Sequence, residues 1–274
     1  MSSHFQGSWR FSINYSLGVF VLLGMVLLSD GYGPCNFKPT QWSLAHATFY
    51  GDETASATIG GACGYGDLFK NGYGKETAAI SPVLFMNGKG CGGCYQLMCV
   101  DSKWCITKGG GYGGYGGGST SVIVTATNLS PPSWLKPSKG YTPGVHFDLS
   151  VPAFKKIAIS QGGIIPIKYR RVPCVRKGGI TFTLQGNNYW LLAFPMNVGG
   201  AGDIAQMWVK GCRTGWISMT QNWGTAYQAF AQLGGQSLSF KLQSYSDREI
   251  IIAYNVIPPY WRVGMTYQAK VNFH

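Results

Sequence analysis

Acidic side chains are scarce in this sequence: ten Asp and Glu stand against 22 Lys and Arg, a formal net charge of +12. Any chemistry that needs two carboxylates therefore has few candidates, and each acid has to be weighed singly. Charged residues of both signs make up only 12% of the chain, whereas 14% are aromatic and 40 residues are glycine. That balance argues against a disordered basic tail and against a helical bundle, and favours a turn-rich β protein. A long apolar run is also missing. The strongest one, "LGVFVLLGMVLL" at residues 17–28, falls short of the roughly 18 residues a membrane span needs. With basic Arg10 before it and the small residues of "SDG" after it, it reads as a secretory signal cleaved near Ser29 or Gly31. An uncleaved anchor is the alternative. No later segment is apolar enough to cross a bilayer.

The positive surplus suits a polyanion, whether nucleic acid, an anionic membrane or an acidic polysaccharide matrix. All eight cysteines follow the signal: Cys35, Cys63, Cys91, Cys94, Cys99, Cys105, Cys174 and Cys212. An even number in a secreted chain reads first as disulfides. "CGGC" from Cys91 lacks the second CxxC or paired histidines of a zinc site, and no βαβ pattern surrounds it to suggest a redox motif. No metal or organic cofactor is implied. A secreted, stapled β protein argues against nucleic-acid binding and leaves an acidic polysaccharide matrix as the better match for the charge.

The chain divides near 174–179. Before it lie most of the cysteines, glycine-rich turns and short β-type runs such as "SVIVTAT" at 121–127. A helix is expected over 151–158, capped by Ser150 and tolerating Pro152 in its first turn. The tract "GGGYGGYGGGS" at 109–119 reads as a solvated loop. After it, "ITFTL" at 180–184, "LSFKL" at 238–242 and alternate residues from Met265 to Phe273 show period-two alternation, the mark of strands with one buried face. Such strands with turn signals between them describe a β-sandwich standing largely on its own hydrophobic core. The expected organisation is a signal at 1–30, a lead-in at 31–45, a first β domain at 46–174, a linker at 175–179 and a second β domain at 180–274.

Several long motifs in order then give a specific resemblance. "GGACGYGDLF" from Gly60, "CGGCYQLMC" from Cys91, "HFDLSVPAF" from His146, "YRRVPC" from Tyr169, "NVGGAGDI" from Asn197 and "TGWISMTQNWG" from Thr214 resemble the plant expansins, closest to the α-expansin type. The resemblance implies a double-psi β-barrel related to family 45 endoglucanases, followed by an immunoglobulin-like carbohydrate-binding β-sandwich. It implies a secreted, extracellular protein that loosens cell walls without hydrolysis. It also implies the disulfides Cys63–Cys91, Cys94–Cys174 and Cys99–Cys105. The chain departs from the family in carrying Ser130 where a cysteine is usual, in having no cysteine between Cys105 and Cys174, and in the glycine tract. Cys35 and Cys212 have no family counterpart; they pair with each other or stay free.

Inverting hydrolysis of a glucan needs a protonated acid at the glycosidic oxygen and an ionised base on water, roughly 6.5–9.5 Å apart. Asp148 matches the family aspartate that corresponds to the endoglucanase acid; taken alone, it could be an acid assisting a helix start. Thr48 and Tyr50 match groove residues whose hydroxyls bond sugar, although Tyr50 could equally be ordinary packing. Asp52 restores the T-x-Y-x-D spacing of the endoglucanase base, while "DETASATIGG" around it reads as a turn that would merely solvate it. Asn128 stands where an amide replaces an acid; it can exchange hydrogen bonds with hydroxyls but cannot take a proton from water. Asn128-Leu129-Ser130 is also a glycosylation sequon, with Pro131 behind it. In the second domain Tyr189, Trp190 and Trp223 are the candidate sugar-stacking rings, and Trp208 and Trp216 are expected in the core.

The leading expectation is a non-hydrolytic monomer with a groove of Thr48, Tyr50, Asn128 and Asp148. Its expected partners are cellulose, xyloglucan and anionic pectin, with peripheral membrane contact during secretion. The alternatives are an inverting endo-β-glucanase using Asp148 as acid and Asp52 as base, and a wall-binding lectin without loosening activity.

Overall fold

Strand signals dominate the sequence, and strands dominate the structure. The computed structural model describes residues 37–109, 120–130 and 144–274. The expected signal, Cys35, most of the glycine tract and Pro131 lie outside these residues. The first half supplies β1 (Ser43–Tyr50), β2 (Thr77–Ile80), β3 (Cys94–Cys99), β4 (Ser121–Leu129), β5 (His146–Ser150) and β6 (Ile165–Val172). They close into a barrel in the order β1-β5-β2-β4-β3-β6, with β1 returning to β6. The β1–β5 and β2–β4 pairs run parallel and the others antiparallel. Alternation sorts the side chains: Ala45, Ala47, Ala78, Ile80, Phe147 and Leu149 fill the barrel, so their neighbours along each strand point outward.

The expected helix is shorter than its pattern. It spans Val151–Phe154, with Ser150 Oγ accepting from the Ala153 N–H at 3.3 Å. Its continuation is drawn away because Ala158 forms a β-bridge with Cys105. Ser150 belongs to β5, so HFDLS is itself a strand that ends at the helix cap.

The second half supplies β7 (Thr181–Gly186), β8 (Trp190–Met196), β9 (Gln206–Gly211), β10 (Ile217–Trp223), β11 (Ala226–Phe230), β12 (Leu238–Gln243), β13 (Ile250–Ile257) and β14 (Thr266–Gln268). They form one sheet in the order β13-β12-β9-β10-β11-β8-β7-β14. β10 turns the corner: residues 217–219 pair with β9, and Thr220, Gln221 and Trp223 pair with β11 across an irregularity. The two ends fold face to face, with Phe182 of β7 stacked on Phe240 of β12 at 4.5 Å. The alternation from Met265 to Phe273 becomes only the three-residue β14. Ala269 and Phe273 turn inward, while Met265 and Val271 stay exposed along an open sheet edge.

The halves are tied by hydrogen bonds and an ion pair, while the disulfides Cys63–Cys91, Cys94–Cys174 and Cys99–Cys105, the pairs implied by the resemblance, all lie within the first. Cys212 is exposed and in no disulfide. The expected linker is held down, with Arg176 donating to Thr125 Oγ1 at 2.8 Å and Asn197 donating to the Lys177 carbonyl at 2.8 Å. Deeper, the Arg171 guanidinium meets fully buried Asp203 at 3.0 Å. Asp203 also accepts from the backbone of Tyr245 and Ser246, so the buried charge is compensated by hydrogen bonds as well as by its ion pair.

Candidate functional site

The barrel register brings distant residues into one row. Across β1, β5, β2 and β4, Thr48 lies beside Asp148, Asp148 beside Ala79, and Ala79 beside Asn128. Thr48 and Asp148 alternate with the core residues, so their side chains meet on the outer wall of the barrel. The small Ala79 between Asp148 and Asn128 leaves the row without a ridge. Tyr50 follows Thr48 by two residues and shares its face.

Thr48 Oγ1 donates to Asp148 Oδ1 at 2.7 Å. The same oxygen lies 2.8 Å from His146 Nε2. A hydroxyl has one proton, so with that proton on Asp148, the imidazole must donate from Nε2. Burial pushes the His146 pKa down to about 4, with His46 charge adding to the effect. The neutral ring therefore holds Thr48, and Thr48 holds Asp148. Burial raises the Asp148 pKa while the Thr48 hydrogen bond opposes the rise. Burial likewise raises Tyr50, with the Asn128 amide working against it. The Asn128 amide is near enough to act on that phenol, but among the described residues the Tyr50 hydroxyl has no partner in hydrogen-bond geometry. Asn128 Oδ1 is already occupied by the N–H groups of Ala62 at 2.7 Å and Leu129 at 2.9 Å. Sequence reasoning gave no role to His46 and His146. Their signal was present in the two-residue offset of each from Thr48 and Asp148, which puts them on the same wall.

Asp52 does not join this row. Its carboxylate accepts from the backbone N–H groups of Thr54 (2.8 Å) and Ala57 (3.2 Å) and from the hydroxyls of Thr54 (2.5 Å) and Ser56 (2.8 Å). Those bonds, led by the hydroxyls of Thr54 and Ser56, hold its pKa far below the ordinary carboxylate range. A carboxylate so stabilised as an anion is a poor proton acceptor.

On the sandwich, Asn187 Oδ1 accepts from the N–H groups of Tyr189 (2.9 Å) and Trp190 (3.0 Å), fixing the turn that presents both rings. Tyr189 is 66% exposed. Trp190 is partly covered and donates its indole N–H to Gln228 at 3.2 Å. Directly across from it on β11 stands Phe230, 75% exposed. Opposed residues of an antiparallel pair share a face, so Phe230 extends the aromatic surface, which the sequence reading missed. Trp223 is 46% exposed and meets Phe194 edge-on at 5.8 Å. Trp208 and Trp216 are not core residues. Their strand neighbours Met207, Val209 and Ile217 pack inward, and both indoles lie partly exposed on the outer face.

One loop lies between Asn128 and Trp223. A Cβ on Gly61 would come within 2.9 Å of Asn128 Cβ, and one on Gly64 within 2.9 Å of Trp223 Cη2. Gly64 also has φ +82°, a conformation that favours glycine. The loop thus lies against the end of the carboxylate row on one side and against the sandwich tryptophan on the other.

Two family models match: the Expansin C-terminal domain over residues 180–258 and Lytic transglycolase over residues 77–169. Putative expansin-A30 of Oryza sativa subsp. japonica is 55% identical over 86% of this chain and 88% of its own length. Expansin-A7 of Arabidopsis thaliana is 52% identical over 98% of both. Among solved structures, the apo-form of Clavibacter michiganensis expansin and its d78n mutant in complex with cellohexaose each superpose with a TM-score of 0.62. Each covers 85% of this chain and 98% of its own at 16% identity, a likeness of fold. With barrel, sandwich and near full-length relatives in agreement, the chain belongs to the expansin family and stands with the plant α-expansins.

Proposed function

We propose that this protein is secreted to the cell wall, grips a cellulose- or xyloglucan-like chain, and loosens contacts between wall polymers without cutting them. The groove of Thr48, Tyr50, Asn128 and Asp148 engages the chain, and the aromatics of the sandwich hold it along its flat faces. Pyranose rings present apolar C–H faces that stack on such side chains while their hydroxyls bond the groove. A related solved expansin carries cellohexaose, which supports a glucan as the class of ligand.

The observation that carries this reading is the pairing of one buried acid with no partner base. Asp148 has a raised pKa, as a general acid requires. No neighbouring group in its row can take a proton from water near neutral pH. Asn128 is an amide, burial keeps Tyr50 protonated, and His146 commits Nε2 to Thr48 while its Nδ1 is buried away from water. Asp52 is consumed by its turn. What remains binds hydroxyls and exchanges one proton.

The test compares wild type with Asp148→Asn in extension of heat-killed walls, alongside reducing-end release from soluble β-glucan. The expected result is extension by wild type, loss of extension in the variant, and no sustained release from either. Sustained release that disappears in Asp52→Ala would replace this reading with the glucanase. Equal extension by variant and wild type would remove Asp148 from the mechanism. Binding without extension in wild type would leave the lectin.

A further inference from the structure

The sheet face that carries Trp190 and Trp223 does not end at those rings. Towards β7 it meets the barrel loop after Cys63, and between the two opens a cleft of about 180 Å³ lined by Gly64, Asn71, Thr183, Gln185, Phe194 and Met196. Cross-strand pairing sets its place: Thr183 lies opposite Phe194, and Gln185 opposite Leu192, which in turn lies opposite Gln228. Gln228 Oε1 accepts from the Trp190 indole at 3.2 Å and from the Asn222 amide at 2.7 Å. Phe194 is buried and meets Trp223 edge-on. Adjacent strands lie about 4.8 Å apart, so the cleft opens beside both tryptophans, within the span of one or two sugar units. Among the described residues, no charged side chain lines it. Its polar groups are partly uncommitted. Gln185 is exposed, and its amide makes no hydrogen bond among the described residues. Asn71 Nδ2 donates to the Tyr65 carbonyl at 2.7 Å, which fixes the amide and leaves Oδ1 as an acceptor. Thr183 Oγ1 shares one bond with Thr266 Oγ1 at 2.6 Å and keeps a lone pair. Gly64 joins cleft to ring: a Cβ there would come within 2.9 Å of Trp223 Cη2 and within 3.4 Å of Phe194 Cε1.

We propose that this cleft takes one neutral pyranose branch of a substituted β-glucan, so that the sandwich prefers branched chains to bare ones. The inference rests on the reading of Trp190 and Trp223 as the surface on which a glucan lies. A bare glucan is a ribbon: on flat rings its units stay in one layer, and none descends beside them. A sugar attached to a primary hydroxyl leaves the ribbon at its edge, and the cleft lies along that edge. Phe194 and Met196 offer apolar surface to the C–H face of such a sugar, while Gln185, Asn71 and Thr183 offer bonds to its hydroxyls. A uronate finds no cation here to offset the water its carboxylate would lose. The lining therefore fits a neutral branch, the class to which the xylose side groups of a xyloglucan belong.

The experiment measures binding of the whole protein by calorimetry to cellohexaose, to cellotetraose and to the same tetraose bearing xylosyl branches on its primary hydroxyls. The expected outcome is tighter binding of the branched tetraose than of the bare one by about fivefold, the worth of one or two hydrogen bonds. Gln185→Trp, at an exposed position, fills the mouth of the cleft and should abolish that preference while cellohexaose binding stays as in wild type. Thr183→Val, which keeps the shape and removes a hydroxyl, should reduce it and carries the test should Gln185→Trp fold poorly. Equal affinity of wild type for the two tetraoses would overturn the proposal, as would a preference that survives in both variants. Failure of all three ligands to bind would overturn the aromatic reading together with the cleft, whereas cellohexaose binding without a preference for branches overturns the cleft alone.

Discussion

Replacing Thr48 by Val tests the hydrogen-bond row at its centre. Valine keeps the shape and removes the hydroxyl that joins His146 to Asp148. Two consequences follow. The Nε2–H of His146 loses its acceptor inside a largely buried site, which costs about 1–3 kcal/mol of stability. Asp148 loses the Thr48 hydrogen bond that favours its ionised form. A hydrogen bond to a charged group contributes about 1.5–3 kcal/mol. Asp148 is partly open to solvent, so a discounted value of about 1 kcal/mol applies, or about a fivefold higher proton affinity. The sign is fixed by the two opposed causes: burial raises the Asp148 pKa and Thr48 lowers it, so removing Thr48 moves it further up. Carbon-detected NMR titration of the Asp148 carboxyl reads this directly, and the pH profile of wall extension reads its functional echo. Both midpoints should move to higher pH in Thr48→Val and return towards wild type in Thr48→Ser. A midpoint that stays put, or moves down, while the protein remains folded would refute the row as the control of Asp148.

Two further substitutions probe the ends of the site. Gly64→Ala adds about 1–2 kcal/mol of left-handed backbone strain and drives a methyl to within 2.9 Å of Trp223. Its expected outcome is a lower melting temperature together with weaker retention on cellulose, whereas Gly60→Ala, whose Cβ would meet nothing within 4 Å, should show the strain alone. Asp52→Ala should leave wall extension unchanged and lower stability at neutral pH. Because the folded pKa of Asp52 is depressed, its stabilisation is present above the unfolded carboxylate value and fades as pH falls through the folded one. The deficit of the variant, followed by chemical denaturation, should therefore shrink in strong acid; a deficit that grows there would refute the turn-anchoring role.

The fold was legible because period-two alternation survives wherever one face is buried. "ITFTL" and "LSFKL" became β7 and β12, with Phe182 and Phe240 meeting across the core. Alternation failed at 265–273 because an open edge imposes less burial than a sheet interior. It also held an answer that tryptophan's usual burial hid: in "QMWVKG", Met207 and Val209 take the inner phase, so Trp208 and Lys210 had to face out. The candidate groove residues were picked out through motif resemblance, but their alignment in one row was not legible. Nothing local in the sequence says that Asp148 lies between Thr48 and Ala79, because register is a property of the closed barrel. Phe230 was hidden for the same reason, since only pairing with β8 sets it opposite Trp190. Asp52 had the right spacing and the wrong surroundings, and Thr54 and Ser56 behind it were the legible sign of a carboxylate turned back on its own chain.

The carboxylates of the barrel, taken together, explain why spacing alone misleads here. Glu53 pairs with Lys155 and Glu76 with Lys156 on the surface. Asp67 accepts from the N–H groups of Phe69 and Lys70. Asp101 follows β3, whose end pairs near Ser121, whereas the groove lies at Asn128 on the same partner strand. Seven strand residues separate those positions, on the order of 20 Å, far beyond the separation of an inverting pair. With Asp52 committed to its turn, none of these acids pairs in register with the row that holds Asp148. That leaves one acid in the row, held by a neutral histidine through a threonine. On the proposed reading, such a site would change its grip on a sugar hydroxyl as a proton comes and goes. On the same reading, the rival step of moving a water onto an anomeric carbon would need a base from outside this row.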